Sequence, residues 1–295
     1  MNKPRFRFPG RLKKDGPAAL LFLAPSLLGF SLFYAIPFAM GIYYSFTDKL
    51  QGGSFAGLAN YWDLLYRSSF RQAAANTLLF TGISVPILIV LSLALALMLN
   101  QRMWLRNGLQ TAVVLPLVVP VASIVMVWQI FVDWNGTLNS WLHFMGLPRI
   151  DWMNSNWSMA VLVLMYIWKN IGYNMILFLA GLQSIPQSYY ETARIEGAGG
   201  IRQLFGITLV YLIPTMFFVI LISIINSFKV FRETYMLAGN YPYDRIYMMQ
   251  HYMNNMFVSL DIQKLTAAAT LMVGCIIALV SGLLSAERRF QQNLE

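Results

Sequence analysis

The sequence predicts an all-α, polytopic membrane protein. Hydrophobic residues fill 58% of its 295 positions and charged residues 11%, whereas soluble domains contain roughly 25% charged residues. The apolar residues are gathered into long, largely uncharged stretches, and a helix needs about 20 apolar residues to cross a bilayer. We therefore expect six transmembrane helices, which lie within 16–47, 72–101, 107–132, 152–190, 203–228 and 265–286.

The first predicted helix follows a basic tail, residues 1–15. Its basic residues are Lys3, Arg5, Arg7, Arg11, Lys13 and Lys14. Positive charge beside a transmembrane helix favours the cytoplasmic side, so we expect this tail in the cytoplasm. The alternative is a cleaved signal peptide, whose apolar core usually has about 7 to 15 residues. Because the uncharged run at 16–47 is longer, we expect a retained helix and treat 16–295 as one transmembrane domain.

Basic residues are also denser on one side of the predicted membrane. The tail and the segments on its side hold twelve, whereas the longer segments on the other side hold eight. This bias predicts that both termini are cytoplasmic. The net charge of +9 therefore reflects orientation in the lipid bilayer, and we expect no nucleic-acid binding because no basic-aromatic module is visible. Besides the tail, the inner set comprises Arg102 with Arg106, Arg194 with Arg202, and Arg288 with Arg289.

Six prolines lie inside the predicted helices. Each removes a backbone hydrogen bond and favours a kink. Kinks are common structural features of membrane helices and equally suit a transporter that changes shape, so the sequence leaves both interpretations open. These prolines are Pro25, Pro37, Pro86, Pro116, Pro120 and Pro214.

The polar segment 186–204, between the fourth and fifth predicted helices, carries the most specific local pattern. Pro186 ends the preceding helix, and Ser188 with Glu191 forms an S-x-x-E capping box that starts a new one. We expect a short helix at about 189–197, ended by the glycine-rich run 197–200 because glycine readily adopts a positive φ. Its expected common face comprises Tyr190, Ala193, Arg194 and Gly197.

The segment 191–210 resembles the EAA loop of ABC-transporter permease subunits. It departs from that pattern at Thr192, Glu196 and Val210. It keeps the pattern's spacing at Glu191, Ala193, Gly197, Ile207 and Leu209. The resemblance implies that the short helix binds a separate ATPase and transmits its nucleotide-driven closure; the alternative is an amphipathic surface linker. The residues implied at the ATPase contact are Tyr190, Glu191, Ala193, Arg194, Glu196 and Gly197.

The resemblance extends to the carbohydrate-uptake permeases of the maltose and glycerol-3-phosphate type, in the six-helix form of the first of their two permeases. It rests on Ala24-Pro25, on Leu115-Pro116 with Pro120, and on the run 227–231. It implies a bacterial or archaeal inner-membrane subunit of a binding-protein-dependent importer for a sugar or oligosaccharide. The implied partners are a second homologous permease, an ATPase dimer and an extracytoplasmic solute-binding protein.

Two polar faces are candidates for the sugar site. On the fourth predicted helix, Lys169 is an ionisable group at membrane depth, which is a functional hypothesis by default. It shares a face with Tyr166, Asn170 and Tyr173, at helical spacing. The face on the fifth helix comprises Ser223, Asn226, Ser227 and Val230.

The resemblance places both faces around the sugar, and Lys169 stands where the prototype has an apolar residue, so it suits an acidic or phosphorylated substrate. The alternative is that the polar groups join helices, at about 0.6 kcal/mol each, with Lys169 reaching towards an interface.

The sequence lacks a phosphate-binding loop of the form G-x-x-x-x-G-K-[ST]. We therefore expect no cofactor in this chain and assign ATP and Mg to the partner ATPase, so the chain itself is not an enzyme. His143 and His251 are isolated, and we expect solvated histidines and no metal site. The competing classes are an ion-coupled secondary transporter, disfavoured because Lys169 is the only intramembrane charge the sequence suggests, and an ABC permease for a non-sugar substrate.

Overall fold

The structure, a computed structural model, describes residues 12–49, 52–101 and 106–292. Across these ranges the regular structure is helical, apart from one isolated β-bridge between Thr47 and Phe55. Most of the predicted basic tail, residues 1–11, lies outside the described residues, as does Arg102 of the inner basic set.

Fourteen α-helices are numbered here along the described chain. They are α1 (Leu12–Phe30), α2 (Ile36–Ser45), α3 (Ala59–Tyr66), α4 (Ser68–Leu99), α5 (Arg106–Val118), α6 (Val121–Val132), α7 (Thr137–Phe144), α8 (Ser158–Gln183), α9 (Gln187–Ile195), α10 (Gly200–Gln203), α11 (Leu209–Ser227), α12 (Phe231–Ala238), α13 (Met249–Val258) and α14 (Ile262–Gln292). Two π-helical turns, Ser31–Ala35 and Leu204–Thr208, join α1 to α2 and α10 to α11.

Six helical stretches of the described chain are long and apolar enough to cross a membrane, which confirms the predicted number. They are Leu21–Ser45, Ser68–Leu99, Val121–Phe144, Ser158–Gln183, Gly200–Ala238 and Ile262–Arg289. Their bounds differ from the expected ones in the middle of the chain.

The prediction that 107–132 forms one continuous helix is wrong. The chain breaks between α5 and α6 at Pro120, whose ψ of 139° is extended rather than helical. Proline has no N–H to donate to the preceding turn, so α5 ends before it and α6 begins after it. Pro86, Pro116 and Pro214, in contrast, lie inside helices that continue through them.

The fourth and fifth predicted helices also change at their ends. The fourth begins at Ser158 rather than at 152, because residues 152–157 form turns. It ends at Gln183 rather than at 190. The fifth continues past Ser227 through one turn, 228–230, into α12. The predicted loop at 229–264 is therefore mostly helical, since it contains α12, α13 and the 3-10 turn Asp244–Ile246.

Apolar packing explains why this segment is folded. Ile246 and Tyr252 are fully buried, and burying a large apolar side chain stabilises a fold by about 1.5 to 3 kcal/mol. Asn76 of α4 donates a hydrogen bond to the carbonyl oxygen of Tyr247 at 3.0 Å. The N–H of Met249 donates to the Thr77 hydroxyl at 2.9 Å. The segment thus packs against α4.

Helix α8 is the centre of the bundle. It contacts α4, α5 and α11, and buried side chains such as Met165, Met175 and Phe178 join it to two hydrophobic clusters. A Cβ atom on Gly172 would overlap the carbonyl oxygen of Val113, so the glycine lets the backbones of α5 and α8 touch. Helix α8 therefore holds its polar residues in a fixed position and leads directly to α9.

Candidate functional site

A cavity of about 390 Å³ lies between α8 and the junction of α11 with α12. Five of the eight residues predicted to bind substrate line it. They are Tyr166, Lys169, Asn170, Asn226 and Val230. The two sequence patterns, about 60 residues apart, therefore meet at one site because α8 and α11 pack side by side.

The other three predicted residues are absent from the described lining of this cavity. The Ser223 hydroxyl accepts a hydrogen bond from the Asn174 amide at 2.8 Å. The Ser227 hydroxyl lies 2.9 Å from that of Thr81. Both serines are buried, and their contacts match the alternative of hydrogen bonds between helices. Tyr173 is half-buried.

Tyr166 and Asn170 form a fixed polar wall on α8. The Tyr166 hydroxyl donates to the backbone oxygen of Ser223 at 2.7 Å, and its ring meets Phe80 edge-on, with centroids 5.4 Å apart. The Asn170 amide donates to the backbone oxygen of Tyr166 at 2.8 Å. These contacts hold both side chains in place without help from a ligand, and thus preorganise the wall.

Lys169 forms an ion pair with Glu233 of α12. The expectation that Lys169 is the only charge at this depth is therefore wrong. Glu233 was missed because the drop in hydropathy after Ser227 suggested an external loop, whereas α12 turns this carboxylate towards α8. The available signal was the helical spacing of Lys229, Arg232 and Glu233, at i, i+3 and i+4.

Further side chains that the sequence did not suggest also line the cavity. Lys229 and Arg232 are solvent-exposed and add two positive charges, and Gln250 adds an amide from α13. Leu117, Met165 and Phe231 supply apolar surface. The cavity therefore combines hydrogen-bonding groups with three cations and one carboxylate.

His251, which we expected to be solvated, is fully buried. Its ring lies against Phe231 and Tyr247, with centroids 4.8 and 5.9 Å apart. The backbone N–H of Met248 donates to its Nδ1 at 3.3 Å. Burial lowers the pKa of His251 to about 4, because a charged ring loses its hydration there. His251 is thus a neutral packing residue that supports the cavity wall at Phe231, whereas His143 is exposed as expected.

The short helix predicted from the EAA-like segment is present as α9. The expected capping box is wrong, because the helix begins at Gln187 after an extended Pro186 and has no side-chain cap. Ser188 and Glu191 therefore lie within the helix. The expected glycine stop is confirmed: Gly197 has φ of +80°. The N–H groups of Gly197 and Ala198 bond back to Arg194 and Ala193, which is a Schellman motif.

Helix α9 is attached to the π-helical turn that precedes α11 and to α11 itself. The Tyr190 hydroxyl lies 2.9 Å from that of Thr208, and the rings of Tyr189 and Tyr211 are 4.9 Å apart. The expected common face is therefore divided. Tyr190 and Ala193 are half-buried against the bundle, whereas exposed positions include Glu191, Arg194, Glu196 and Gly197.

The outer surface of this region is apolar as well as charged. Ile195 is 87% exposed, Ile201 77% and Phe205 65%. Ile201 and Phe205 lie at the start of the membrane-length stretch Gly200–Ala238, whereas Ile195 lies outside it on α9.

The described chain has six membrane-length helical stretches and a polar cavity between its helices. The short helix α9 packs against them at one end. This is the architecture of a membrane transport protein. A family model described as the binding-protein-dependent transport system inner membrane component matches residues 89–290. The chain belongs to this family. It is thus a multi-pass permease subunit of an ABC transport system in the inner membrane, and ATP hydrolysis belongs to a separate subunit.

Similar proteins place the chain in the carbohydrate-uptake branch. It is 33% identical to the sulfoquinovosyl glycerol transport system permease SmoG of Agrobacterium fabrum, over 88% of this chain and 86% of that protein. It is 36% identical to the arabinooligosaccharides permease AraP of Bacillus subtilis, over 77% and 74%. It is 29% identical to the trehalose/maltose permease MalF of Thermococcus litoralis, over 78% and 79%.

The fold matches that of a solved transporter. A chain from a bacterial ABC transporter involved in the import of the acidic polysaccharide alginate superposes with a TM-score of 0.81, at 24% identity, over 95% of this chain and 97% of that one. The family and the similar proteins confirm the carbohydrate-permease resemblance drawn from the sequence. They exclude the alternative of an ion-coupled secondary transporter.

Proposed function

We propose that this chain lines one side of the path by which an ABC importer moves a sugar or oligosaccharide across the inner membrane. The observation that carries the proposal is the cavity that Tyr166, Asn170, Asn226 and Gln250 help to line. Amide groups exchange hydrogen bonds with sugar hydroxyls, and aromatic rings pack on the apolar face of a pyranose. Its volume of about 390 Å³ lies within the range of small-molecule sites, about 300 to 1,000 Å³.

The similar proteins support a saccharide rather than another cargo. SmoG, AraP and MalF are permeases for sulfoquinovosyl glycerol, arabinooligosaccharides and trehalose or maltose. A solved amino-acid ABC transporter is less similar in fold, with a TM-score of 0.52 at 14% identity. A non-sugar substrate is therefore the weaker candidate.

The proposal also assigns the segment 186–204 to one side of the membrane. With residues 1–15 and both termini in the cytoplasm, the segment 186–204 also faces the cytoplasm, because an even number of crossings separates it from the N-terminal tail. There α9 contacts the ATPase through Glu191, Arg194, Glu196 and Gly197, beside the exposed Ile195. The remaining predicted contact residues, Tyr190 and Ala193, attach α9 to the bundle. Closure of the ATPase then moves α11 through the Tyr190 and Tyr189 contacts.

The complete transporter would contain four kinds of component. The cavity is lined by one chain and open to solvent at Lys229 and Arg232, so a second homologous permease would supply the opposite wall. An ATPase dimer would bind ATP and Mg, and the solute-binding protein would deliver the sugar. Within this chain, 16–295 would act as a single transmembrane domain.

Transport in proteoliposomes tests the proposal. The complete transporter with its binding protein is reconstituted, and ATP-dependent uptake is measured for a panel of labelled saccharides and amino acids. We expect saccharide uptake that falls at least tenfold in Asn170→Ala and Asn226→Ala. The control is Asn156→Ala, at an exposed asparagine outside the cavity. Uptake of amino acids without saccharides, or full saccharide uptake by both cavity variants, would contradict the proposal.

A further inference from the structure

The charges of the cavity do not balance. Lys169, Lys229 and Arg232 are cationic, and Glu233 is the one carboxylate among the described lining residues. Glu233 pairs with Lys169. Across the described parts of the chain, none of the ion pairs includes Lys229 or Arg232. An occupant of the cavity therefore meets two positive charges that form no ion pair with an acidic side chain of the described residues.

Glu233 provides a second and independent observation. It is 6% exposed, and one oxygen of its carboxylate contacts Lys169. The other oxygen, Oε2, is buried and has no hydrogen-bond partner among the described residues. A buried acceptor without a donor is unfavourable, and a carboxylate accepts hydrogen bonds from hydroxyl groups. Glu233 lines the cavity, and its carboxylate thus has unused acceptor capacity for a ligand hydroxyl.

The carboxylate of Glu233 does not pair with the two free cations, Lys229 and Arg232. Glu233 lies four residues after Lys229, a spacing at which the two side chains could pair on a helix. Its carboxylate instead contacts Lys169 on α8, because α12 packs with this side chain directed inwards. Lys229 and Arg232 stay exposed at the mouth. Glu233 is therefore buried in the cavity wall, whereas the free cations are exposed to solvent.

We propose that the transported saccharide carries an acid group, such as a carboxylate, sulfonate or phosphate. The acid group binds Lys229 and Arg232, and a hydroxyl of the same molecule donates to the carboxylate of Glu233. Lys169 holds the carboxylate of Glu233 in position. This inference rests on the proposed sugar transport and adds the charge of the substrate.

Matched pairs of acidic and neutral saccharides test the inference. The complete transporter is reconstituted with its binding protein, and uptake is measured for digalacturonate against its dimethyl ester, and for sugar phosphates and sulfonates against the parent sugars. We expect at least one acidic member to be taken up tenfold or more faster than its neutral counterpart. The ratio should fall as ionic strength rises, because salt screens exposed charges.

Variants assign the preference to this chain. In Lys229→Gln/Arg232→Gln, we expect the ratio of acidic to neutral uptake to fall at least tenfold. Since the binding protein is the same in every sample, a change in the ratio reports on the permease. Arg245→Gln is the matched control, because Arg245 is an exposed arginine of the same region outside the cavity lining. Co-purification with the ATPase checks assembly.

The outcomes separate the two proposals. Equal uptake of acidic and neutral members, or an unchanged ratio in the assembled double variant, overturns the acid-group inference and leaves sugar transport standing. If the double variant does not assemble, the salt dependence of the wild-type ratio decides: a ratio independent of salt overturns the inference. Transport of no saccharide in the panel, with amino acids taken up instead, overturns the proposed function itself.

Discussion

Lys169 and Glu233 show how much the meaning of a residue depends on its partner. As a lone lysine at membrane depth, Lys169 suggested contact with an anionic substrate. In the structure its charge is already compensated by Glu233, which lies 64 residues later in the chain. Removing two charges from water is costly, so a buried pair contributes little net stability, but removing one partner leaves an uncompensated charge. The pair is therefore a fixed component of the cavity wall.

This difference can be measured as a double-mutant cycle. We expect Lys169→Met and Glu233→Gln each to destabilise the assembled transporter by about 3 to 5 kcal/mol, and the double variant by clearly less than their sum. The readout is the thermal unfolding midpoint of the purified complex, which is measured by fluorescence-detected size-exclusion chromatography.

The half-exposed pair of Arg67 and Asp63, at 3.2 Å, provides the control. Arg67→Gln should cost no more than about 1 kcal/mol, because exposed ion pairs are solvated and contribute little. If Glu233→Gln were as mild as Arg67→Gln, the Lys169–Glu233 pair would not be buried in the assembled protein.

At the scale of single elements, α9 is a short helix whose end depends on the backbone conformation of one residue, Gly197. A Cβ atom added to Gly197 or to Gly199 would meet open space in both cases. The two glycines differ in backbone: Gly197 has φ of +80°, whereas Gly199 has φ of −68°. A residue with a side chain is less stable by roughly 1 to 2 kcal/mol in the left-handed region. The two glycines therefore form a matched pair for a substitution.

We expect Gly197→Ala to uncouple transport and Gly199→Ala to leave it nearly unchanged. The strain at residue 197 changes the angle between α9 and the chain that returns to α11, so movement of the ATPase is transmitted poorly. The measurement is the number of saccharide molecules taken up per ATP hydrolysed in proteoliposomes, which should fall several-fold in Gly197→Ala. Equal coupling ratios in the two variants would show that the left-handed turn is not needed.

Elements whose structure depends on neighbouring residues in the chain were predictable from the sequence. Elements whose structure depends on contacts with distant residues were not. The hydropathy of 72–101 and the glycine at 197 indicated the helix α4 and the end of α9, because both depend on nearby residues. For α12, the helical spacing of Lys229, Arg232 and Glu233 was too weak a signal to distinguish a helix from a loop. Its charged residues resemble a loop unless one knows that Glu233 meets Lys169.

The same distinction applies to the candidate site. Helical spacing correctly grouped Tyr166, Lys169 and Asn170, since they share one helix. It could not decide between Asn226, which lines the cavity, and Ser223, which bonds to Asn174 instead. That choice depends on how α11 rotates against α8, and a periodic pattern does not fix such a rotation within one turn. The burial of His251 was also invisible locally, because it depends on Phe231 from another helix.

At the scale of the whole molecule, α8 connects the cavity to the proposed ATPase contact. Its middle carries Tyr166, Lys169 and Asn170, and its end passes through a three-residue turn, 184–186, into α9. Because α8 also touches α5 through Gly172, it cannot shift without moving its neighbours. A displacement of α9 can therefore reach the cavity by two routes, directly along α8 and through the tyrosine contacts to α11.

This arrangement requires α9 to lie on the cytoplasmic side, opposite α7. The helix α8 is the one membrane-length stretch between Phe144, which is 91% exposed, and Ile195, which is 87% exposed. In a Cys275→Ser background, we expect Phe144→Cys to react with a membrane-impermeant maleimide in intact spheroplasts. Ile195→Cys should react only in inverted membrane vesicles. Both sites are apolar and highly exposed, so a difference in labelling reports on sidedness rather than on burial. Reaction of both cysteines from the same side would show that α8 does not cross the membrane, and reaction in the reverse order would place the termini outside and exclude the ATPase contact at α9.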